Sequence, residues 1–570
     1  MHYRLLLLVT LLPFMTLGPA FAQVDLRVDR LEVTQVIQDR NVAGGVDNII
    51  RLVGMKPTVA RLYVGFTGSD QPVPGVEAML RVYQDGMEVE GSPVMPDGPI
   101  EAPVPPEVVT RIDPRSRDEA ATINFTLPLL AGGNVMLLAE VNPGRTIEET
   151  DYENNQFAIE GLNFECRRTP DIIYIPVNYV PTPESPNPNL PDPDLIALGV
   201  GDAFVQGIYP APGLNYVLAP GDPMFWDRNI NQSTSAFQND LAARRRMFDP
   251  VPDFMYAWFA GNPYSGNGQA FPAGLVAFGN SELTRFQRTF AHELGHLFGL
   301  GHNTRFLDQV GFDVVNGLGL GRVKNTTLRD IMAAGLLTNQ AWVDIATYNH
   351  FLNRPVLACP PPEEPAGASY GDYLFLTGTV NADGSASLNP AYRLTGRQDY
   401  SAPSAEATHD LVIRDGGGQE IYRLPFDARH PEVEGDTSLT GPVDSAFALT
   451  VPAFLNLARV ELVQKGTVLD SLARKAQSPF VSIEPIQDVL DGKTRVAWRV
   501  SNTDPADVRY SVQFSPDNGL TWYPLAVNLA EPGYVIDPAS LGKTEQGVLR
   551  VLATDGLNTA VAVRGNLKVR

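Results

Sequence analysis

The chain has 570 residues, 44% of them apolar, and 65 Asp and Glu set against 43 Lys and Arg leave a net charge of −22. That length exceeds a single ordinary core and implies three or four domains. The scattered carboxylates argue against nucleic acid and an anionic membrane surface as partners. Val, Thr, Gly and Pro concentrate in the flanks and helix formers in the middle third. The expected fold class is therefore multidomain, an α+β middle between all-β sandwiches.

Arg4, the apolar run 5–12 and Ala20-Phe21-Ala22 read as an export signal over residues 1–22, cut before Gln23. The run is short and Pro13 interrupts it, which argues against a membrane anchor, and no later stretch reaches the ~20 apolar residues of a spanning helix. A secreted protein without a membrane span is expected. Residues 23–165 alternate in β fashion, as in Arg61-Leu62-Tyr63-Val64 and Leu80-Arg81-Val82-Tyr83. Near their end, Asn142-Pro143-Gly144-Arg145 leads into Ile147-Glu148-Glu149-Thr150-Asp151-Tyr152-Glu153-Asn154-Asn155. This segment resembles the signature of CARDB-type bacterial adhesion domains and implies an immunoglobulin-like sandwich; an acidic surface hairpin is the alternative.

Residues 166–360 change character. Asp171-Ile172-Ile173-Tyr174-Ile175-Pro176-Val177 is a buried-strand run, and residues 194–208 have helical periodicity. A short strand is expected at 214–218 and a helix at 235–247, with Arg244-Arg245-Arg246 at the end where the dipole favours cations. Strands at 254–259 and 274–278 precede a helix capped by Ser281, whose inward stripe is Leu283, Phe286, Phe290, Leu294 and Leu297. A last helix covers 340–352. The linker 360–365 then separates two further β domains, 367–475 and 478–570. The last of these resembles a fibronectin type III or related immunoglobulin-like sandwich, and its residues 515–522 match a structural Asp-box turn. Two cysteines, Cys166 and Cys359, bracket the middle region, and in an exported chain they suggest one disulfide.

The chemistry lies in one eleven-residue window. His292-Glu293-Leu294-Gly295-His296 sets two imidazoles four apart on one helix face, within reach of one ion at ~2.0–2.1 Å. Gly299 permits the positive φ needed for a sharp turn, and His302 arrives as third ligand. Three neutral nitrogens leave a fourth position for water, the mark of a catalytic zinc site. Of seven histidines in the chain, three fall here. The remaining candidates His350, His409 and His430 read as surface residues.

Residues 292–302 carry the full H-E-x-x-H-x-x-G-x-x-H motif of the metzincin zinc peptidases, which this region resembles. The resemblance implies Zn2+ held by His292, His296 and His302, with Glu293 as general base toward a zinc-activated water in peptide-bond hydrolysis. It also implies a methionine turn, for which Asp330-Ile331-Met332-Ala333 supplies Met332. The tyrosine that astacins and serralysins place two residues later is here Ala334, and Asn303 matches no subfamily marker. Cys166-Arg167-Arg168-Thr169-Pro170-Asp171 is similar, with one extra residue, to the cysteine switch of matrixin propeptides, a competing role for Cys166. Calcium is a second candidate cation for an acidic secreted metzincin, although no Asp/Asn-rich loop has convincing ligand spacing. The strand at 274–277 is expected to present an edge to an extended protein or peptide substrate, while the β domains suit extracellular protein or glycan partners. Two other readings compete: an adhesion or glycan-binding protein with a degenerate peptidase domain, and a zinc-dependent amidase acting on something other than peptide.

Overall fold

The computed structural model describes residues 23–38, 48–97, 107–109, 122–359, 370–428 and 444–570. The expected export signal at 1–22, the linker at 360–365 and His430 lie outside these residues. Strands predominate and are spread over many sheets, in keeping with immunoglobulin-like β domains. Among the described residues no helix is long and apolar enough to cross a membrane.

The chain divides into two compact units. One takes in the described parts of Met1–Val33, Thr58–Pro128 and Asn134–Leu162; the other takes in Thr34–Pro57, Leu129–Gly133 and Asn163–Arg570. The expected first domain, 23–165, has the described parts of 34–57, 129–133 and 163–165 in the second unit. Its strands include Val59–Thr67 paired antiparallel with Ile123–Thr126, and Ala78–Gln84 paired antiparallel with Gly133–Val141. In the segment 142–155, Glu149 is buried and accepts from Leu26 N (2.6 Å), Asn142 Nδ2 (2.5 Å) and Asn155 Nδ2 (2.8 Å). A buried carboxylate with three donors is a structural tie, so an acidic surface hairpin does not describe this segment.

In the second unit, a mixed sheet organises the region that carries the histidines. Its strands are β1 (Asp171–Tyr179), β2 (Asn215–Leu218), β3 (Met224–Trp226), β4 (Phe254–Phe259), β5 (Gly268–Phe271) and β6 (Val276–Asn280). The order is β2-β1-β4-β6-β5, with β3 also on β1; all pairings are parallel except β5 with β6. Parallel neighbours require crossovers. Helices α1 (Ala203–Ile208), α2 (Ile230–Arg246) and α3 (Phe286–Leu297) flank the sheet, and α4 (Ile345–Leu352) follows.

β4 shows why its sequence is apolar throughout. Phe254, Tyr256 and Trp258 join one core with Phe204 of α1 and Phe290 and Leu294 of α3. Met255, Ala257 and Phe259 join another with Phe237 and Leu241 of α2. Alternate side chains face opposite layers, so both faces of the strand are dry. The first core also contains Val36, Ile37, Ile50 and Val53. Trp342 Nε1 donates to the Val36 carbonyl (3.0 Å), so the early segment Thr34–Pro57 is built into the region that carries the histidines.

Residues 370–428 and 444–473 form two four-stranded sheets around a shared core that includes Leu376, Ile413, Leu449 and Leu462. The last module again has two sheets, with Val496, Trp498, Val512 and Leu549 between them. Both modules dock on α2. Asn239 Nδ2 donates to Gly378 O (3.0 Å), Arg244 Nη2 to Leu525 O (2.7 Å), and Asn528 Nδ2 to Asp240 Oδ1 (2.6 Å).

Several expectations shift. The helix expected at 194–208 is confined to Ala203–Ile208, the one at 235–247 begins at Ile230, and the last begins at Ile345, capped by Asp344. α3 starts at Phe286 and not after Ser281, whose hydroxyl accepts from Gly261 N–H; Leu283 is 67% exposed and outside the inward stripe. His409 is buried on its strand, contrary to the surface reading. The strand containing 276–277, β6, pairs on both sides, so among the described residues the last strand of the sheet is β5 instead.

Candidate metal centre

α3 presents its first two histidines because its opposite face is apolar. Phe286, Phe290, Ala291, Leu294 and Leu297 enter the core with the sheet and α1, which turns His292 and His296 the other way. The helix then stops at Phe298 and Gly299. Gly299 has φ +88°, its N–H donates to His296 O (2.9 Å), and Leu300 N–H donates to Gly295 O (3.1 Å). These paired bonds are a Schellman motif. The turn folds the chain back and aims the Leu300 carbonyl at His296 Nδ1, 2.7 Å away. His302 follows two residues on.

The three Nε2 atoms converge. They lie 3.0 Å apart between His292 and His302, 3.1 Å between His296 and His292, and 3.2 Å between His296 and His302. His292 Nδ1–H donates to Ile331 O (2.9 Å) and His296 Nδ1–H to Leu300 O, so both rings turn an unprotonated Nε2 lone pair to the centre. Neutral nitrogens this close repel unless a cation lies among them. Ligands at ~2.0–2.1 Å in a tetrahedral set stand about 3.3 Å apart, and the observed spacing is close to that. The residues fit a divalent ion with nitrogen ligands. Burial pushes the His292 imidazole well below its ordinary value, assisted by the Arg288 charge, which favours the neutral, ligating form.

Glu293 is fully buried beside this cluster, and among the described residues no donor reaches its carboxylate oxygens at good hydrogen-bonding geometry. Burial drives its carboxyl well above the ordinary range, while the Arg288 charge and the Ala270 amide offset only part of that. A desolvated carboxyl held without strong donors is a proton carrier. It lies against β5: a Cβ at Gly268 would come 2.9 Å from Glu293 Cγ and 2.7 Å from Thr289 Cγ2. Only glycine lets the edge strand approach the carboxylate so closely.

Met332 is buried under the helix. A Cβ at Gly295 would meet its Sδ at 2.4 Å, so the absence of a side chain there admits the thioether. The turn carrying Met332 is held by Asp330, which accepts from Met332 N (3.0 Å), Asp344 N (3.0 Å) and Asn303 Nδ2 (2.6 Å). Asn303 N–H also donates to Met332 O (3.1 Å). Asn303, without meaning as a motif residue, therefore couples the third histidine to the methionine turn.

Cys166 and Cys359 form a disulfide, which leaves Cys166 no thiolate to offer a metal in this state. Sequence reasoning passed over Gly268 and Arg288 and gave no role of their own to Asn303 and Asp330. Arg288 alone carried a signal, a charge one turn before His292 on a helix that is otherwise inward-facing there.

No family model matches the chain, and no curated protein matches it in sequence. Among solved structures it is similar to an E. coli alpha-2-macroglobulin seen by cryo-EM in its native conformation, at 8% identity and a TM-score of 0.15. The match covers 95% of this chain and 26% of that one. A superposition that loose carries neither fold nor function across.

Proposed function

We propose that this chain is a secreted zinc-dependent endopeptidase of the metzincin type, with His292, His296 and His302 as ligands and Glu293 as general base. The observation that carries the reading is the convergence of three imidazole Nε2 atoms within 3.2 Å beside a buried, weakly hydrogen-bonded carboxylate. A zinc ion bound there supplies acidification of a water molecule and polarisation of a carbonyl oxygen. Glu293 takes the proton of that water and delivers it to the leaving amine nitrogen, and its desolvated setting makes it a stronger base than a solvated carboxylate. β5 is the last strand of the sheet among the described residues, and an extended polypeptide laid along it would set its scissile bond beside Glu293. The Cys166–Cys359 disulfide supports an oxidising, extracytoplasmic location.

The test uses the full chain on casein with zinc content measured in parallel. Wild type is expected to cleave, to stop under a chelator and to recover on zinc addition. Glu293→Gln is expected to keep its zinc and lose at least about 10³-fold in kcat. Wild-type turnover in that variant, or purified protein with no affinity for zinc, would overturn the reading.

A further inference from the structure

Arg288 lies one helical turn before His292 and is fully buried. Its Nη2 stands 2.8 Å from Ile331 O, within hydrogen-bonding reach of Ala333 O, and 3.0 Å from His292 Nδ1. Counting hydrogens assigns these contacts. Nη2 carries two, and two carbonyls accept them; a guanidinium nitrogen has no lone pair to accept from the imidazole. The His292 Nδ1 hydrogen therefore goes to Ile331 O at 2.9 Å, and that carbonyl, with two lone pairs, serves both donors. Ile331 and Ala333 are the residues on either side of Met332. One nitrogen of Arg288 thus grips the methionine turn on both sides of its thioether and fixes the carbonyl that orients the first histidine.

We propose that Arg288 is a positioning residue of the metal centre: it clamps the Met332 turn to α3 and, through the shared Ile331 carbonyl, holds His292 with Nε2 facing the ion. The inference rests on the metal reading above and adds a part to it. A partner of this kind behind a ligating histidine is generally worth 10–100-fold in metal affinity. The arginine fork is also not replaceable at its full reach by lysine, whose stem is one atom shorter.

The test is zinc affinity by chelator competition on the full chain, with cobalt(II) visible absorption as a report of ligand geometry. Arg288→Met is expected to bind zinc about 10–100-fold more weakly than wild type and to change the cobalt band. Arg288→Lys, which retains donors, should fall between the two. Thermal unfolding of the metal-free proteins separates this from general destabilisation, because a merely structural arginine would lower the melting point and leave the cobalt band of the folded fraction unchanged. Wild-type zinc affinity and an unchanged cobalt band in Arg288→Met would overturn the proposal. Should that variant not fold, wild-type behaviour of Arg288→Lys in both measurements overturns it equally. A wild type that binds no zinc removes the metal reading and this inference together, whereas a zinc-binding wild type with unaffected Arg288 variants removes the inference alone.

Discussion

Three side chains and one missing side chain define the chemistry at the residue scale. The imidazoles of His292 and His296 are turned by carbonyls of Ile331 and Leu300, so their tautomers follow from backbone positions that the helix and its C-terminal turn create. Glu293 owes its character to burial with weak donors, and Gly268 owes its identity to Glu293. Gly268→Ala would drive a methyl group into Glu293 and Thr289. The expected outcome is a loss of at least about 10-fold in kcat/KM with zinc content retained, because displacement of a catalytic group by about 1 Å costs that much or more. Equal turnover of Gly268→Ala and wild type on casein would mean that Glu293 does not work where it lies.

The unit that matters among the elements is α3 with the turn that ends it. A helix can place two ligands on one face but cannot return a third from ten residues on without reversing direction. The Schellman turn at Gly299 performs that reversal and at the same time supplies the carbonyl for His296. Gly299→Ala would force a Cβ into a left-handed backbone, at a cost of about 1–3 kcal/mol, and would set it 3.3 Å from the Arg354 guanidinium. Lower thermal stability together with weaker zinc binding is expected. A variant that unfolds earlier yet binds zinc as wild type does would uncouple the turn from His302. The edge strand belongs to this scale as well. Residues 274–277 have the apolar character of an edge-presenting strand, but β6 is paired on both sides and β5 takes the rim, since pairing order depends on partners that a local pattern does not name.

In the whole molecule, the second unit is built around α2 as much as around the histidine cluster. Its last turn, Arg244-Arg245-Arg246, has the pattern of a dipole-compensating surface cluster, yet Arg244 is buried and spends its guanidinium on carbonyls of the last β module. Asp240 on the same helix, about a quarter exposed, accepts from Asn528 of that module. Burial pushes its carboxyl up to about 6 from 3.8, against the opposing pull of Asn528, Arg228 and Arg244. As pH rises from about 4 to about 6, the unfolded state gives up this proton first, so the folded state loses stability; the loss is complete above 6 and absent below 4. Asp240→Asn lacks that loss. It should exceed wild type by about 1–2 kcal/mol at pH 8 and match it near pH 4 in urea unfolding. A difference that does not vary with pH would show that Asp240 is ionised at no special cost.

What could be read directly was whatever the chemistry of a short window dictates. The convergence of His292, His296 and His302, the carboxylate beside them, the glycine bend and the pairing of the only two cysteines depend on residues whose placement follows from helix geometry or from there being a single available partner. β4 was legible because a strand buried on both faces must be apolar throughout. Tertiary structure decided what depends on distant chain. Arg288 meets carbonyls 43 and 45 residues away, Asn303 reaches Asp330, and Thr34–Pro57 completes the core of a region that begins more than a hundred residues later. No local pattern encodes such contacts, because their energies arise only once loops have closed and hydrogen-bonding groups have lost water.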